Sequence, residues 1–192
     1  MNEVRSLNSQ FIQSISDRGN LESLNKAREL VQKHPTLDVN QNGKVLRAVL
    51  VRNMRESVEF LFSLPEFDPN ILIGTPGGQE YPLCYLCSTR LTIDRKILEM
   101  FLKNPRIDIN QKSNIDPSLN PLKIILKAGC FSYVSLFLKN SHQTLDISGW
   151  RELAEQAPTT TDSHPRWKQD AFRLLELYER DVDAAIIEAN KI

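Results

Sequence analysis

Glycine, cysteine and histidine are scarce in this 192-residue chain, which holds seven, three and three of them. Few glycines leave little material for hairpin turns or for loops that cradle phosphate, so a doubly wound nucleotide-binding fold is not expected. The three cysteines, Cys84, Cys87 and Cys130, are too few for a disulfide framework, and their number is odd. This cysteine usage favours a reducing compartment, and we expect the protein in the cytoplasm.

The chain also lacks net charge and long apolar runs. It carries 24 basic and 24 acidic side chains, so no overall field attracts nucleic acid or an anionic membrane. No apolar run approaches the roughly 18–20 residues that span a bilayer. The first ten residues have no basic region followed by an apolar run, so no signal peptide is expected. We therefore expect neither a nucleic-acid partner nor a membrane partner.

Leucine and isoleucine dominate the apolar residues that are present. The chain holds 25 Leu and 15 Ile against 9 Val, and 41% of all residues are hydrophobic. This composition can build a folded core, and the excess of Leu over Val favours helices over strands. The composition therefore predicts an all-α protein.

A six-residue pattern recurs along the chain: proline, any residue, an apolar residue, Asp, any residue, Asn. Three copies occupy residues 35–40, 65–70 and 105–110, and a weaker fourth copy without the proline occupies residues 145–148. Successive Asp residues of the pattern are 30, 40 and 38 positions apart. Repeats of this length are typical of solenoids, in which each unit packs against its neighbours.

Each part of this pattern has a physical role at a helix end. Proline stops a helix because it lacks an N–H group and clashes with the preceding turn. The apolar residue returns the chain to the core. Asp and Asn side chains hydrogen-bond to nearby backbone groups and so define a turn. The pattern therefore predicts a helix end followed by a defined reversal of the chain.

Two short apolar segments fill each interval between these turns, and each segment predicts a helix of two to three turns. Such helices are too short to be stable alone and must stack on their neighbours. We expect a single domain over residues 1–192 with five helix pairs, with Asn20 capping a helix of the first pair. The final pair is expected to end in a long capping helix from Trp167 to about Asn190. The pairs are predicted at residues 5–37, 43–67, 80–107, 119–145 and 149–190.

The segment from Asn120 to Leu138 shows the motif most clearly. It reads Asn-Pro-Leu-Lys at 120–123, Ala-Gly at 128–129 and Val-x-Leu-Phe-Leu at 134–138. The chain here resembles the ankyrin repeat. A copy from Lys44 to Asn70 aligns equally well in spacing, and a third copy, which needs a short insertion, begins at Tyr81. This resemblance implies an all-α ankyrin-like solenoid of about five stacked helix pairs, which we expect to be monomeric. It also implies a concave face and loop tips that bind another protein.

Two departures from the ankyrin pattern affect this expectation. The family's histidine, which joins one repeat to the next by hydrogen bonds, is replaced by Arg47, Cys84 and Lys123. We therefore expect the polar network between repeats to be absent. The paired alanines of the first helix are replaced by larger side chains, which are expected to change how neighbouring helices stack.

No motif in the chain predicts catalysis. Cys84 and Cys87 form a Cys-x-x-Cys, but a zinc site or a redox site needs further ligands or a strand before the motif. We interpret these cysteines as small buried residues, and we expect no metal, no cofactor and no enzyme activity. The glycine-containing segment from Thr75 to Glu80 has two readings: a finger loop that contacts a partner, or a solvated loop.

Protein–protein binding is the function that this reading favours. The ankyrin resemblance implies that partner contacts come from six residues: Gln41, Arg52, Glu80, Thr89, Arg90 and Lys127. Three of them, Arg52, Arg90 and Lys127, occupy equivalent positions and form what we call the basic strip, which suits an acidic partner. The competing reading is that these three are ordinary solubilising charges.

A second hypothesis comes from a different class of function. The chain is then the scaffold or substrate-docking subunit of an enzyme assembly, and a pocket with converging titratable groups favours this role. Degenerate ankyrin repeats are also frequent in proteins that large viruses and intracellular bacteria deploy in host cells. The cytoplasm in question is then that of the host.

Overall fold

The computed structural model of the chain describes residues 2–17, 21–88, 94–158 and 164–192. Within these ranges it contains 11 α-helices and two short strands, and most of the described residues are helical. The prediction of a helical protein is confirmed. No helix in the described ranges is both long enough and apolar enough to span a membrane.

The chain divides into two compact units, Met1–Pro82 and Leu83–Ile192. In the first unit, α1 packs against α2 and α3, and α3 packs in turn against α4 and β1. Fully buried apolar side chains such as Phe11, Leu46 and Leu61 form its core. The elements of this unit are α1 (Asn2–Ile15), α2 (Leu21–Lys33), α3 (Lys44–Val51), α4 (Arg55–Ser63), β1 (Ile73–Thr75) and β2 (Gly78–Glu80).

The second unit holds the remaining helices, the first of which begins at the boundary. Here α7 packs against α8 and α9, and α8 packs against α6, α10 and α11. Buried side chains such as Phe101, Leu126 and Phe137 fill the core of this unit. Its helices are α5 (Pro82–Ser88), α6 (Arg95–Lys103), α7 (Pro121–Ala128), α8 (Val134–Asn140), α9 (Trp150–Glu155), α10 (Pro165–Arg180) and α11 (Val182–Ala189).

The recurring proline marks the end of a helix each time it occurs. Helices α2, α4 and α6 end two residues before the proline of the repeated pattern. The apolar residue two positions after each proline then donates its backbone N–H to the carbonyl three residues earlier, which closes a β-turn. These hydrogen bonds measure 2.9 Å at Leu37, 3.2 Å at Phe67 and 3.0 Å at Ile107. The predicted helix ends and turns are confirmed.

The recurring Asp stabilises a second turn directly after the first. Its carboxylate accepts the backbone N–H of the residue two positions later, at 2.9–3.0 Å in all four copies of the pattern. An Asx turn of this kind replaces a backbone hydrogen bond by one from the side chain. The predicted local role of Asp is therefore confirmed at Asp38, Asp68, Asp108 and Asp146.

The predicted single C-terminal helix is wrong, because the chain breaks at Asp181. This residue has an extended backbone (φ −154°, ψ 101°), and its carboxylate accepts the backbone N–H of Ala184 as the N-cap of α11. From the sequence, the polar run at residues 179–181 indicates helix caps or a solvated face, and the break itself is not predicted. Asp is also a strong N-cap, and the capped break lets α10 and α11 fold against each other.

Polar contacts from α10 fix this terminal element onto the last repeat. The Tyr178 hydroxyl accepts the backbone N–H of Leu145 at 2.8 Å, and the indole N–H of Trp150 donates to Glu179 at 2.8 Å. Arg151 lies over the Trp150 ring and donates to Glu176 at 2.8 Å. Helix α10 thus supplies polar partners to α9 and to the turn at Leu145. The predicted cap at Asn20 lies outside the described residues.

Candidate partner-binding surface

Gln41 begins the short turn that leads into α3, and its side chain is buried. Gln41 and Asn42 have φ values of 43° and 53°, and Gly43 follows at 77°. The Gln41 amide donates to the Asn8 carbonyl at 3.1 Å, and the residue is only 8% exposed. Burial argues against the predicted partner contact, because this side chain already holds the turn onto α1.

Arg52 lies at the other end of α3 and is exposed, as the prediction of a partner contact requires. Its guanidinium donates to the Ala48 carbonyl at 3.5 Å and forms no ion pair within the described residues. The neighbouring Val51 is 53% exposed, which is unusual among the β-branched residues of this chain. Together Val51 and Arg52 present an apolar group and a free cation at one helix end.

Glu80 ends a hairpin whose tip is open and whose root is buried. Strands β1 and β2 pair antiparallel, with Thr75 opposite Gly78 and Ile73 opposite Glu80. Ile73 is fully buried and Glu80 is 4% exposed, and the Glu80 carboxylate accepts the backbone N–H of Tyr81 at 2.8 Å. Burial argues against a partner contact by Glu80, whereas residues 76–79 at the tip are exposed. The finger-loop and solvated-loop readings both remain open for this tip.

Lys127 lies in the last turn of α7 and is exposed, but it has a carboxylate partner. Its ammonium group is 3.3 Å from Asp116, in the loop that precedes α7. The Ser118 hydroxyl, and after it Lys127, hold the pKa of Asp116 below its usual value. Ile115, at the same loop, is 52% exposed. Asp116 offsets much of the positive charge that the prediction assigned to Lys127.

The basic strip stays a prediction. Arg52 belongs to the first unit and Lys127 to the second, while Thr89 and Arg90 lie outside the described residues. Of the six candidate contact residues, the structure therefore leaves Arg52 and Lys127 exposed and buries Gln41 and Glu80. Partner contact by any of them awaits a binding measurement.

The three cysteines are free thiols buried in the second unit. Burial, and after it the neighbouring thiols Cys84 and Cys130, raises the pKa of Cys87 well above its usual value. A thiol in that state is a poor nucleophile and a poor metal ligand. No group of three His, Cys, Asp or Glu side chains in the described ranges is arranged to hold a metal ion.

The expectation that no polar network joins the repeats is wrong at two of the three positions considered. Lys123 is 7% exposed, and its ammonium group donates to Asp146 and to Ser148, both at 2.9 Å. The Cys84 thiol donates to the Gln111 carbonyl at 3.4 Å. Lys and Cys thus each join one repeat to the next turn, whereas Arg47 is exposed. The expectation rested on histidine alone, although Lys and Cys side chains can also donate a hydrogen bond.

The Asn of the repeated pattern makes a second link that sequence reasoning missed. The Asn40 amide donates to the Glu66 carbonyl at 3.0 Å, and its oxygen accepts the Asp68 backbone N–H at 2.8 Å. Asn110 repeats this geometry in the second unit, with 2.7 Å to the Thr144 carbonyl and 2.7 Å from the Asp146 N–H. We call each of these two-bond links an Asn clamp.

The stability of the second unit is expected to depend on pH through Asp146. The Ser148 hydroxyl, and after it Lys123, lowers the pKa of Asp146 to about 2, although partial burial opposes the shift. A carboxyl whose pKa is lowered by folding contributes stability above its unfolded pKa of about 3.9, and this contribution is lost as pH falls towards 2. Because the side chain is 42% exposed, solvent screening limits the contribution to about 1 kcal/mol.

The replacement Asp146→Asn tests this expectation, because asparagine keeps the acceptor oxygen but not the charge. Urea unfolding of both proteins should show a gap of about 1 kcal/mol near pH 6 that closes as the pH approaches about 2. The same comparison in a Lys123→Met background should show a smaller dependence on pH. A gap that stays constant across this range would contradict the assignment.

Comparison with known proteins gives no relative for this chain: no family model matches it, and neither does any curated protein or solved structure. The ankyrin family therefore stays a resemblance based on the residues quoted above.

Proposed function

We propose that this chain is a non-catalytic protein-binding module built from degenerate ankyrin-like repeats. The repeat geometry inside each unit supports the proposal. First helices pack on first helices at α1–α3 and α7–α9, and second helices pack on second helices at α6–α8. The Asx turns and the Asn clamps recur with the same hydrogen bonds in both units. Such an array uses its turns for stability and leaves its loop tips free for recognition.

The observation that carries the proposal is the exposure of apolar side chains beside charges at these tips. Val51 and Ile115 are large apolar side chains that are 53% and 52% exposed. Each lies next to a charged residue, Arg52 in the first case and Asp116 in the second. Arg is enriched among the energetically important residues of protein interfaces, and an exposed apolar side chain beside a charge can pack into a recess of a partner. The proposed partner is thus another protein, met in the cytoplasm, with an apolar recess and an acidic group facing Arg52.

An affinity experiment with matched surface variants tests this function. The full chain is immobilised as wild type, as Val51→Ser combined with Arg52→Glu, as Ile115→Ser, and as Ile187→Ser. Ile187 is 61% exposed on α11 and away from the repeat tips, so it is the control for loss of an exposed apolar group. We expect a partner that the wild type and the Ile187 control retain equally and that both tip variants lose.

A purified partner then allows a direct measurement by calorimetry. Each tip variant should raise the dissociation constant at least about tenfold, since interface anchors contribute more than about 1 kcal/mol each. Equal affinity for all four proteins would assign binding to another surface. If the immobilised wild-type chain retains no protein beyond what an empty matrix retains, the proposed function is refuted.

A further inference from the structure

A pocket in the second unit combines an unpaired cation with hydroxyl groups and apolar walls. It lies between the start of α6, the turn at Phe131–Tyr133 and helices α8 and α10. The pocket is partly open to solvent and has a volume of about 120 Å³. This is somewhat less than the roughly 150 Å³ cavity that accepts benzene, and so it suits a group of about four or five carbon atoms.

Arg95 supplies the cation of this pocket. Its guanidinium carbon lies 5.8 Å from the centre of the Tyr133 ring, and it forms no ion pair within the described residues. A guanidinium placed against an aromatic ring keeps N–H groups available for a carboxylate, which it can bind with two parallel hydrogen bonds. Arg95 is therefore positioned by the ring and still able to bind an anion.

Ser132 and Ser135 supply hydroxyl groups to the pocket. Neither hydroxyl has a hydrogen-bond partner in the described part of the chain. Both are therefore available to donate to a bound acceptor.

Asp170 also lines the pocket, but its charge is already offset. Its carboxylate oxygens lie 3.9 Å from Arg166 and 3.8 Å from Arg173 on the same helix. Arg95 and Asp170 form no ion pair with each other within 4.0 Å. The uncompensated charge of the pocket is therefore the positive charge of Arg95, and the ligand it favours is an anion.

The walls of the pocket determine what the anion is attached to. Trp167 and Ile192 line the space and are 39% and 51% exposed, whereas Phe131 and Leu174, which also line it, are almost fully buried. These surfaces favour an aliphatic group over a sugar or a polyphosphate, because they offer no further hydrogen bonds. We propose that this pocket binds a carboxylate carried on a small branched aliphatic group.

In this arrangement Arg95 binds the carboxylate, with further hydrogen bonds from the hydroxyls of Ser132 and Ser135. Trp167 and Ile192 contact the aliphatic group. Two sources offer this chemistry, a free branched-chain acid and the C-terminal leucine of a peptide. The site goes beyond the proposed function, because neither Val51 nor Ile115 lines the pocket.

Tryptophan fluorescence of the full chain tests the proposal. Trp167 lines the pocket, whereas Trp150 is 2% exposed, so a bound ligand should change the Trp167 signal and leave a Trp167→Phe variant silent. The probes are 3-methylbutanoate and its neutral amide, together with a Gly-Gly-Gly-Leu peptide with a free or an amidated C-terminus. We expect the charged form of at least one pair to bind at least tenfold more tightly than its amide.

Variants identify the groups that bind the probe. Arg95→Gln should raise the dissociation constant at least about tenfold, and Ser135→Ala should raise it a few-fold. Arg180→Gln, at the exposed end of α10, is the matched control and should bind as the wild type does. Binding of the free acid alone identifies a small carboxylate as the ligand, and binding of the peptide acid identifies a chain terminus.

Two results would overturn the proposal. One is that the charged and amidated probes bind equally, or that neither binds at about 10 mM. Absence of binding at that concentration means a binding free energy weaker than about 3 kcal/mol. The other is unchanged affinity in a folded Arg95→Gln protein. The first result is measured on the wild-type chain alone, so it can still overturn the proposal if the Arg95→Gln variant does not fold.

Discussion

Replacing Gly43 by alanine is expected to destabilise the first unit by about 3 kcal/mol or more, a large part of the stability of a small domain. Gly43 has φ 77°, which costs an alanine roughly 1–2 kcal/mol. A Cβ atom at this position would also lie 2.2 Å from the Leu72 carbonyl oxygen, closer than atoms can approach. Because the obstacle is backbone, it cannot move aside as a flexible side chain does.

Gly74 provides the matched control for this replacement. It lies in strand β1, where an added Cβ atom would meet nothing within 4 Å. Gly74→Ala should therefore change the free energy of unfolding by less than about 0.5 kcal/mol. Urea unfolding followed by circular dichroism measures both variants, and hydrogen exchange in α3 and α4 locates the effect. Equal stability of the two variants would show that the Leu72 carbonyl moves readily.

The sequence predicts the helices and their turns well because the signals for them are local. Proline stops a helix at its own position, and the Asp of the repeated pattern accepts a hydrogen bond from a residue two positions away. The helix break at Asp181 is not predicted from the sequence, because Asp suits both an exposed helix face and an N-cap. Only the packing of α11 against α10 and α8 decides between these two roles.

The candidate surface is harder to predict, because exposure depends on distant residues. Gln41 is buried through a hydrogen bond to Asn8, 33 positions earlier, and the carboxylate partner of Lys127 lies 11 positions before it. The family pattern places these residues at loop tips but does not say which side chains turn inwards. Arg52 and Val51 are exposed because the helix ends there, at Asn53, which has φ 53°.

The Asn of the repeated pattern does carry a readable signal for the link between repeats. A local turn accepts Asp, Asn, Ser or Gly, yet the three full copies of the pattern all end in Asn. Of these residues, only Asn carries a donor and an acceptor on two separate side-chain atoms, as the geometry of each clamp requires. The weaker fourth copy ends in Ser148, which makes no clamp and receives a hydrogen bond from Lys123.

Replacing either clamp residue by alanine is expected to cost about 2 kcal/mol, because two hydrogen bonds are lost and two backbone groups lose their partners. Asn40→Ala should act on the first unit and Asn110→Ala on the second by similar amounts, since their geometries match. Asn140→Ala is the control, because its amide makes a single bond to Leu136 within its own helix. That change should cost less than about 1 kcal/mol, measured by urea unfolding.

Asparagine-to-aspartate replacements separate the clamp from a simple turn. In Asn110→Asp, one carboxylate oxygen still accepts the Asp146 N–H. The second carboxylate oxygen takes the place of the amide nitrogen, which lies 2.7 Å from the Thr144 carbonyl oxygen. Two acceptors at that distance repel, so the aspartate variant should be no more stable than the alanine variant. A residue that served only the local turn would tolerate aspartate. An aspartate variant as stable as the wild type would therefore reduce the clamp to a turn residue, and the link between repeats would then rest on Lys123 and apolar packing.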